Sequence, residues 1–375
     1  QNYQVSQLYL PICHDGFLEI QTAAGTKKVR IHEMHMEEDA GKLIHDEWDD
    51  CSLVDYNRSG VPLIEIVSEP DMRNAQEVIA YLEKLRLICQ YLGVSDCKLQ
   101  EGSMRADVNL SVREVGSREL GTRTEMKNLN SFKAIARAIE GERARQIELL
   151  EEGRPVIQET RRWDDNKEYS YAMRSKEDAK DYRYFPDPDL PPVRISDQWI
   201  AQIRNAQPEL QEEKAKRYME QYELSDYDAG LLTQSRHLSE MFEKTAAICQ
   251  MPKKAANWYI GETLRLVKEE GIETEEISFS PEHLAELILM TDRGELNNKT
   301  AKEVFRMIFT DDVDPMIYAE EKGLKTVLDT GLLEETVAKV LEENPDTVKQ
   351  YLEGKTKVTG FLVGQIMKQM KGKAD

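Results

Sequence analysis

Four acidic side chains crowd into a stretch that otherwise reads as a β-strand, R30-I-H-E-M-H-M-E-E-D-A-G-K42. From Val29 to Glu38 the residues alternate. Val29, Ile31, Glu33, His35 and Glu37 therefore share one face, and Arg30, His32, Met34, Met36 and Glu38 share the other. The adjacent carboxylates of Glu37 and Glu38 point to opposite sides. Asp39-Ala40-Gly41-Lys42 follows as a turn signal, so this acidic end sits where a sheet opens onto solvent or ligand. A second carboxylate, Glu65, interrupts the apolar strand-like run from Val61 to Val67. Burying it unpaired costs several kcal/mol, so a cation, a hydrogen-bond cluster or a metal ion must compensate it. Oxygen donors of this kind suit Mg²⁺, which takes one or two protein carboxylates and leaves its other positions to water and phosphates. A solvent-facing Glu on an edge strand is an equally open alternative.

Other chemistries lack their residues. His32-Glu33-Met34-His35 is one residue short of H-E-x-x-H, and on a strand its two histidines face opposite ways, so a zinc site is not expected. Gly41-Lys42 and Gly354-Lys355-Thr356 have no upstream glycine of a P-loop, and no G-x-G-x-x-G exists. No Ser or Cys stands in a recognisable nucleophile context.

The elements that must position these groups follow from pattern. Asn2–Ile12 and Phe17–Ile20 read as strands with His14-Asp15-Gly16 as the turn between them, and Cys51–Tyr56 and Val61–Val67 read as two more. Asn74 or Asp71 caps a helix from about Ala75 to Tyr91 with Val78, Ile79, Leu82, Leu85 and Ile88 on its apolar face. In Arg105–Arg113 the residues Ala106, Val108, Leu110 and Val112 alternate with Arg105, Asp107, Asn109, Ser111 and Arg113. Thr122–Asn130 repeats the idea with Arg123, Glu125 and Lys127 on one face. Two such strands side by side make a polar surface able to carry a ligand; a solvated antiparallel sheet is the plainer alternative. A helix over Ser131–Glu152 ends at Gly153, and a Pro-rich aromatic segment, D181-Y-R-Y-F-P-D-P-D-L-P-P192, leads into continuous helical pattern from about Ser196.

At 375 residues the chain suggests two or three domains. We expect an α+β organisation: an antiparallel, β-rich, cradle-like catalytic domain over 1–200, an all-α helical domain over 201–311 and a small helical tail over 312–375. With 32% charged residues and no apolar run of membrane length, no membrane partner is expected. Five cysteines, odd in number and without C-x-x-C, point to reduced thiols and a cytoplasmic protein. The net charge of −20 argues against wrapping nucleic acid with the whole surface, but from Lys349 onward six lysines face only Glu353 and Asp375. For lysines alone, a solvated helix surface explains as much.

Six long motifs carry a resemblance: H35-M-E-E-D-A-G-K42, Y56-N-R-S-G-V-P-L-I-E-I-V-S-E-P-D71, E101-G-S-M-R-A-D-V-N-L-S-V-R113, K127-N-L-N-S-F132, Q158-E-T-R-R162 and D181-Y-R-Y-F-P186, with G360-F-L-V-G-Q-I-M-K368 near the end. Together they closely resemble GatB, the tRNA-handling component of the tRNA-dependent amidotransferases, over essentially the whole chain. The family's opening Gly-Leu-Glu-Val-His strand has no counterpart here, Gln1 stands where a Lys is common, and the tail stops early at Asp375.

The resemblance implies that ATP and Mg²⁺ phosphorylate the side-chain carboxylate of Glu misacylated on tRNA(Gln), or of Asp on tRNA(Asn). Ammonia from a glutaminase subunit (GatA) then displaces the phosphate, and a small subunit (GatC) braces the heterotrimer. By position, Glu37 and Glu65 match Mg²⁺ ligands and Glu38 a carboxylate at the ammonia exit; a further Glu and His belong to the opening strand, so these 375 residues alone are expected to be inactive. Phosphoryl transfer needs positioning and charge neutralisation rather than a protein nucleophile, which suits carboxylates plus Arg. Glu38, facing away from Glu37, is placed to take a proton from ammonium. Arg105, Asp107, Asn109, Arg123, Glu125, Lys127 and Arg183 are second-rank candidates for nucleotide or aminoacyl contacts. Lys355, Lys357, Lys368 and Lys371 are candidates for tRNA phosphates. Two other classes stay open: a non-catalytic tRNA-binding scaffold, and an ATP-dependent amide ligase acting on a small-molecule acid.

Overall fold

The computed structural model describes residues 4–45, 51–175, 185–325, 330–352 and 354–369. The chain divides into two compact units, residues 1–207 and 208–375. The architecture is α+β, with the sheets in the first unit and helices throughout the second.

The first unit is built on a three-stranded antiparallel sheet in the order β1-β2-β5, formed by β1 (Cys13–Thr22), β2 (Gly25–Glu38) and β5 (Pro62–Ser68). Alternation along β2 holds as the sequence predicts: Val29, Ile31, Glu33 and His35 are buried, while Arg30, His32 and Met36 are exposed. A short hairpin of β3 (Lys42–His45) and β4 (Ser52–Asp55) separates β2 from β5 in sequence. Helix α1 (Ala75–Leu92) begins at Asn74, whose side chain accepts from the Glu77 N–H, and ends at Gly93 in the left-handed conformation.

A second sheet has the order β6-β7-β8-β9, from β6 (Val108–Leu110), β7 (Thr124–Lys127), β8 (Glu159–Asp164) and β9 (Tyr169–Ser175). The β7–β8 pair is parallel and α2 (Phe132–Glu151) is the crossover between them. Ile20, Val29 and Ile31 of the first sheet join Met126, Ile135, Ala138, Ile139 and Trp163 in one core. Helix α2 approaches β8 closely at Gly141, where an added Cβ would lie 3.0 Å from the Trp163 ring. Beneath this contact, buried Glu142 accepts hydrogen bonds from Thr124 (2.7 Å), Gln146 (2.9 Å) and Arg145 (2.6 and 2.8 Å) and lies 3.5 Å from Arg161.

Three expectations need correction. The described part of Asn2–Ile12 is not a strand: Leu10 donates back to the Gln7 carbonyl in a turn, Pro11 has no N–H for a ladder, and a single bridge joins Ser6 to Glu37. His14-Asp15-Gly16 is no turn but part of β1, because Asp15 takes φ 56° without shifting the register that runs from Cys13↔Met34 to Thr22↔Gly25. The nine-residue strand expected over Arg105–Arg113 is three residues long. Its ladder ends where the Gln146 side chain takes the Leu110 carbonyl and the Val112 N–H. Gly121 comes so close to Val112 that a Cβ would strike its carbonyl oxygen.

The second unit is helical. Caps at Ser225, Ser235, Asn297 and Asp314, and Pro at the first turns of the helices opening at Pro252, Pro281 and Pro315, punctuate it where the sequence breaks. Tyr218, Phe242, Tyr259, Leu284, Phe305 and Ile308 fill its core. Among the described residues, no helix is long and apolar enough to cross a membrane.

Candidate active site

The register between β2 and β5 places Glu65 directly opposite His35 and therefore on the face of Glu33, His35 and Glu37. His35 is almost fully buried and both its ring nitrogens face carboxylates. Nδ1 lies 3.1 Å from each oxygen of Glu33, while Nε2 lies 3.0 Å from Glu37 Oε1 and 3.8 Å from Glu65 Oε2. Burial disfavours the imidazolium, but hydrogen bonds to Glu37 and Glu33 and the charges of Glu33 and Glu65 outweigh it, so the His35 pKa is raised. Desolvation and the negative charge of Glu37 raise that of Glu65, an effect that water tempers because the Glu65 side chain is about half exposed.

The segment before β1 closes the site's edge. Ser6 Oγ donates to Glu37 Oε1 (3.0 Å) and Gln4 Nε2 to Glu37 Oε2 (3.2 Å). Glu38 turns the other way, and its Oε1 accepts from the Val5 N–H (3.2 Å).

The polar face of the second sheet lies nearby, since the charge of Asp107 reaches Glu65. Lys127 Nζ bridges Asp107 (2.7 Å) and Glu125 (3.0 Å), and Glu125 also accepts from Thr160 (2.8 Å). Asn109 and Arg123 are exposed beside this group, Asn109 paired across the ladder with Glu125. Arg105 sits elsewhere: with Arg58 it pairs to Asp39, at 2.6 and 2.9 Å. Arg183 and Lys371 lie outside the described residues, as does the side chain of Lys357; Lys355 and Lys368 are exposed. His32 bonds Glu69 (2.9 Å) on the face away from His35, so the two histidines cannot share an ion.

One donor atom each from His35, Glu37 and Glu65 lie within 4.8 Å of one another. Adjacent donors of an octahedral ion with bonds of about 2.1 Å lie about 3 Å apart and opposite ones about 4 Å, so the trio fits a divalent cation with little adjustment. Carboxylates gathered this closely, one of them with a raised pKa, are the donor set such an ion would relieve.

Residues 1–201 match the family described as the GatB/GatE catalytic domain, and residues 240–375 match the GatB domain. The whole chain is 64% identical to the GatB component of the aspartyl/glutamyl-tRNA(Asn/Gln) amidotransferase of Agathobacter rectalis, covering 79% of that protein. It is 62% identical to the protein of the same name from Lachnoclostridium phytofermentans and 52% to that from Caldicellulosiruptor bescii, covering 78% of each. This chain belongs to the GatB family.

Within this GatB fold, sequence reasoning nominated Glu37 and Glu65 but passed over His35, Glu33, Asp39 and Arg58. The signal for His35 was present in its shared parity with Glu37 on one strand; what was lacking was the register that sets Glu65 opposite it. Arg58 lies inside a matching motif, but nothing in its spacing points to Asp39.

Proposed function

We propose that this chain is the carboxylate-activating subunit of a tRNA-dependent amidotransferase. It converts Glu-tRNA(Gln), Asp-tRNA(Asn) or both to the amidated form, using ATP and glutamine-derived ammonia, in a cytoplasmic heterotrimer with a glutaminase subunit and a small subunit. The observation that carries this reading is the β2–β5 register, which gathers Glu37 and Glu65 on one face.

Glu37 and Glu65 would hold Mg²⁺, which when bound supplies charge neutralisation for phosphate oxygens. Ser6 and Gln4 fix the Glu37 carboxylate in place. Lys127, held between Asp107 and Glu125, presents a fixed cation toward the same surface, as suits the charge that develops on a transferring phosphoryl group. Arg105 and Arg58 together exceed the single charge of Asp39, which leaves a local positive excess suited to nucleotide phosphates. Glu38 faces away from the cation site and accepts only a backbone N–H, which suits a base that strips a proton from ammonium before attack. Ammonia nitrogen then bonds to the acyl carbon and inorganic phosphate departs with the C–O bonding pair. Lys355, Lys357, Lys368 and Lys371 would meet tRNA phosphates.

The test is the reconstituted complex supplied with Glu-tRNA(Gln), glutamine, ATP and Mg²⁺, followed by analysis of the aminoacyl group. Gln on the tRNA supports the reading. ATP turnover with a free amino acid and no tRNA would favour a small-molecule ligase, and unchanged activity in Glu37→Gln and Glu65→Gln would favour a scaffold.

A further inference from the structure

Glu33 has no part in the chemistry above, yet its carboxylate is buried, with only 8% of the residue exposed. A buried carboxylate needs a partner, and among the described residues the side chain that bonds it is His35, whose Nδ1 meets both Glu33 oxygens symmetrically at 3.1 Å. That bidentate contact fixes the plane of the ring and aims Nε2 at Glu37 Oε1. Oε1 is thereby held from two sides, by His35 and Ser6, whereas Oε2 is met by Gln4 at a longer 3.2 Å.

We propose that Glu33 and His35 are positioning residues for the cation site, an inference that rests on reading Glu37 and Glu65 as its ligands. The two act in series: Glu33 orients His35, and His35 orients Glu37 so that Oε2 and the Glu65 carboxylate face the ligand together. Because the strand period sets 33, 35 and 37 on one face, the series is built by three alternate residues of β2 with no loop involved. Partners one step behind a metal ligand typically set affinity by about 10- to 100-fold.

The experiment uses the assembled heterotrimer and Mn²⁺ as the probe, with free Mn²⁺ read by electron paramagnetic resonance, so that binding is measured apart from turnover. Retained glutaminase activity and an unchanged melting temperature certify each variant's fold. Glu33→Gln and His35→Ala should each weaken Mn²⁺ binding about 10- to 100-fold. His35→Gln should lose less, because its amide can still donate to Glu37. In the His35→Ala background, Glu33→Gln should add nothing further, since the link through which it acts is gone. An equal loss from Glu33→Gln with and without His35 would overturn the series, as would unchanged Mn²⁺ binding in both single variants while Glu37→Gln abolishes it. Mn²⁺ binding that survives Glu37→Gln would instead remove the cation reading, and the positioning role with it.

Discussion

Asp71 tests how firmly the register that builds the site is held. Its carboxylate receives the Arg30 guanidinium at 2.7 and 2.9 Å and the Arg30 backbone N–H at 3.0 Å, clamping the chain after β5 onto β2. The side-chain bond from Arg30 is the main cause that pulls the Asp71 pKa from 3.8 to about 2. At 1.36 kcal/mol per pKa unit this corresponds to about 2 kcal/mol, and because Arg30 itself is well exposed we discount it to about 1 to 2 kcal/mol. The folded pKa is depressed, so the stabilisation is complete above the unfolded value of 3.8 and is lost as pH falls from there through about 2. Asp71→Asn should therefore lower hydrogen-exchange protection of the β2 amides about 5- to 30-fold at pH 6. The wild type and the variant should converge near pH 2. A difference that is absent at pH 6, or that persists undiminished at pH 2, would refute the reasoning.

Glu142→Ala leaves Arg161 and Arg145 beside an unfilled buried site and should cost about 3 kcal/mol in thermal unfolding, because a buried ion pair broken from one side strands its partner; a loss below about 1 kcal/mol would contradict this. Gly141→Ala gains about 1 kcal/mol of helix propensity but presses a methyl to 3.0 Å from the Trp163 ring, which costs about 1 to 3 kcal/mol, so the net effect should be a lowered melting temperature. Deleting residues 312–375 should weaken tRNA binding and flatten its salt dependence while ATP hydrolysis in the full complex persists. Equal affinity and slope with and without that segment would count against a tail grip.

Where local chemistry decides structure, the chain could be read directly. Alternation along Val29–Glu38 revealed the buried face of β2, and Asn74 and Ser131 announced α1 and α2 by side-chain caps that the structure shows bonded to Glu77 and Ala134. Where a distant residue decides, it could not. Alternation over Arg105–Arg113 is genuine, since Ala106, Val108 and Leu110 pack on the core, but a glutamine 36 residues further on ends the ladder at Leu110. The site divides in the same way. Glu37 and Glu65 stood out as carboxylates in apolar surroundings, while the identity of the side chain between them depended on a strand register with no sequence signature.

The most direct measurement of the central claim is hydroxylamine trapping of the activated aminoacyl carboxylate in the reconstituted complex, with Glu-tRNA(Gln), ATP and a Mg²⁺ titration but no glutamine. Trapped hydroxamate should require both ATP and Mg²⁺ and should fall at least about 100-fold in Glu37→Gln and in Glu65→Gln, with glutaminase activity intact. Wild-type yields from either variant at limiting Mg²⁺ would contradict the claim that these two carboxylates share one cation.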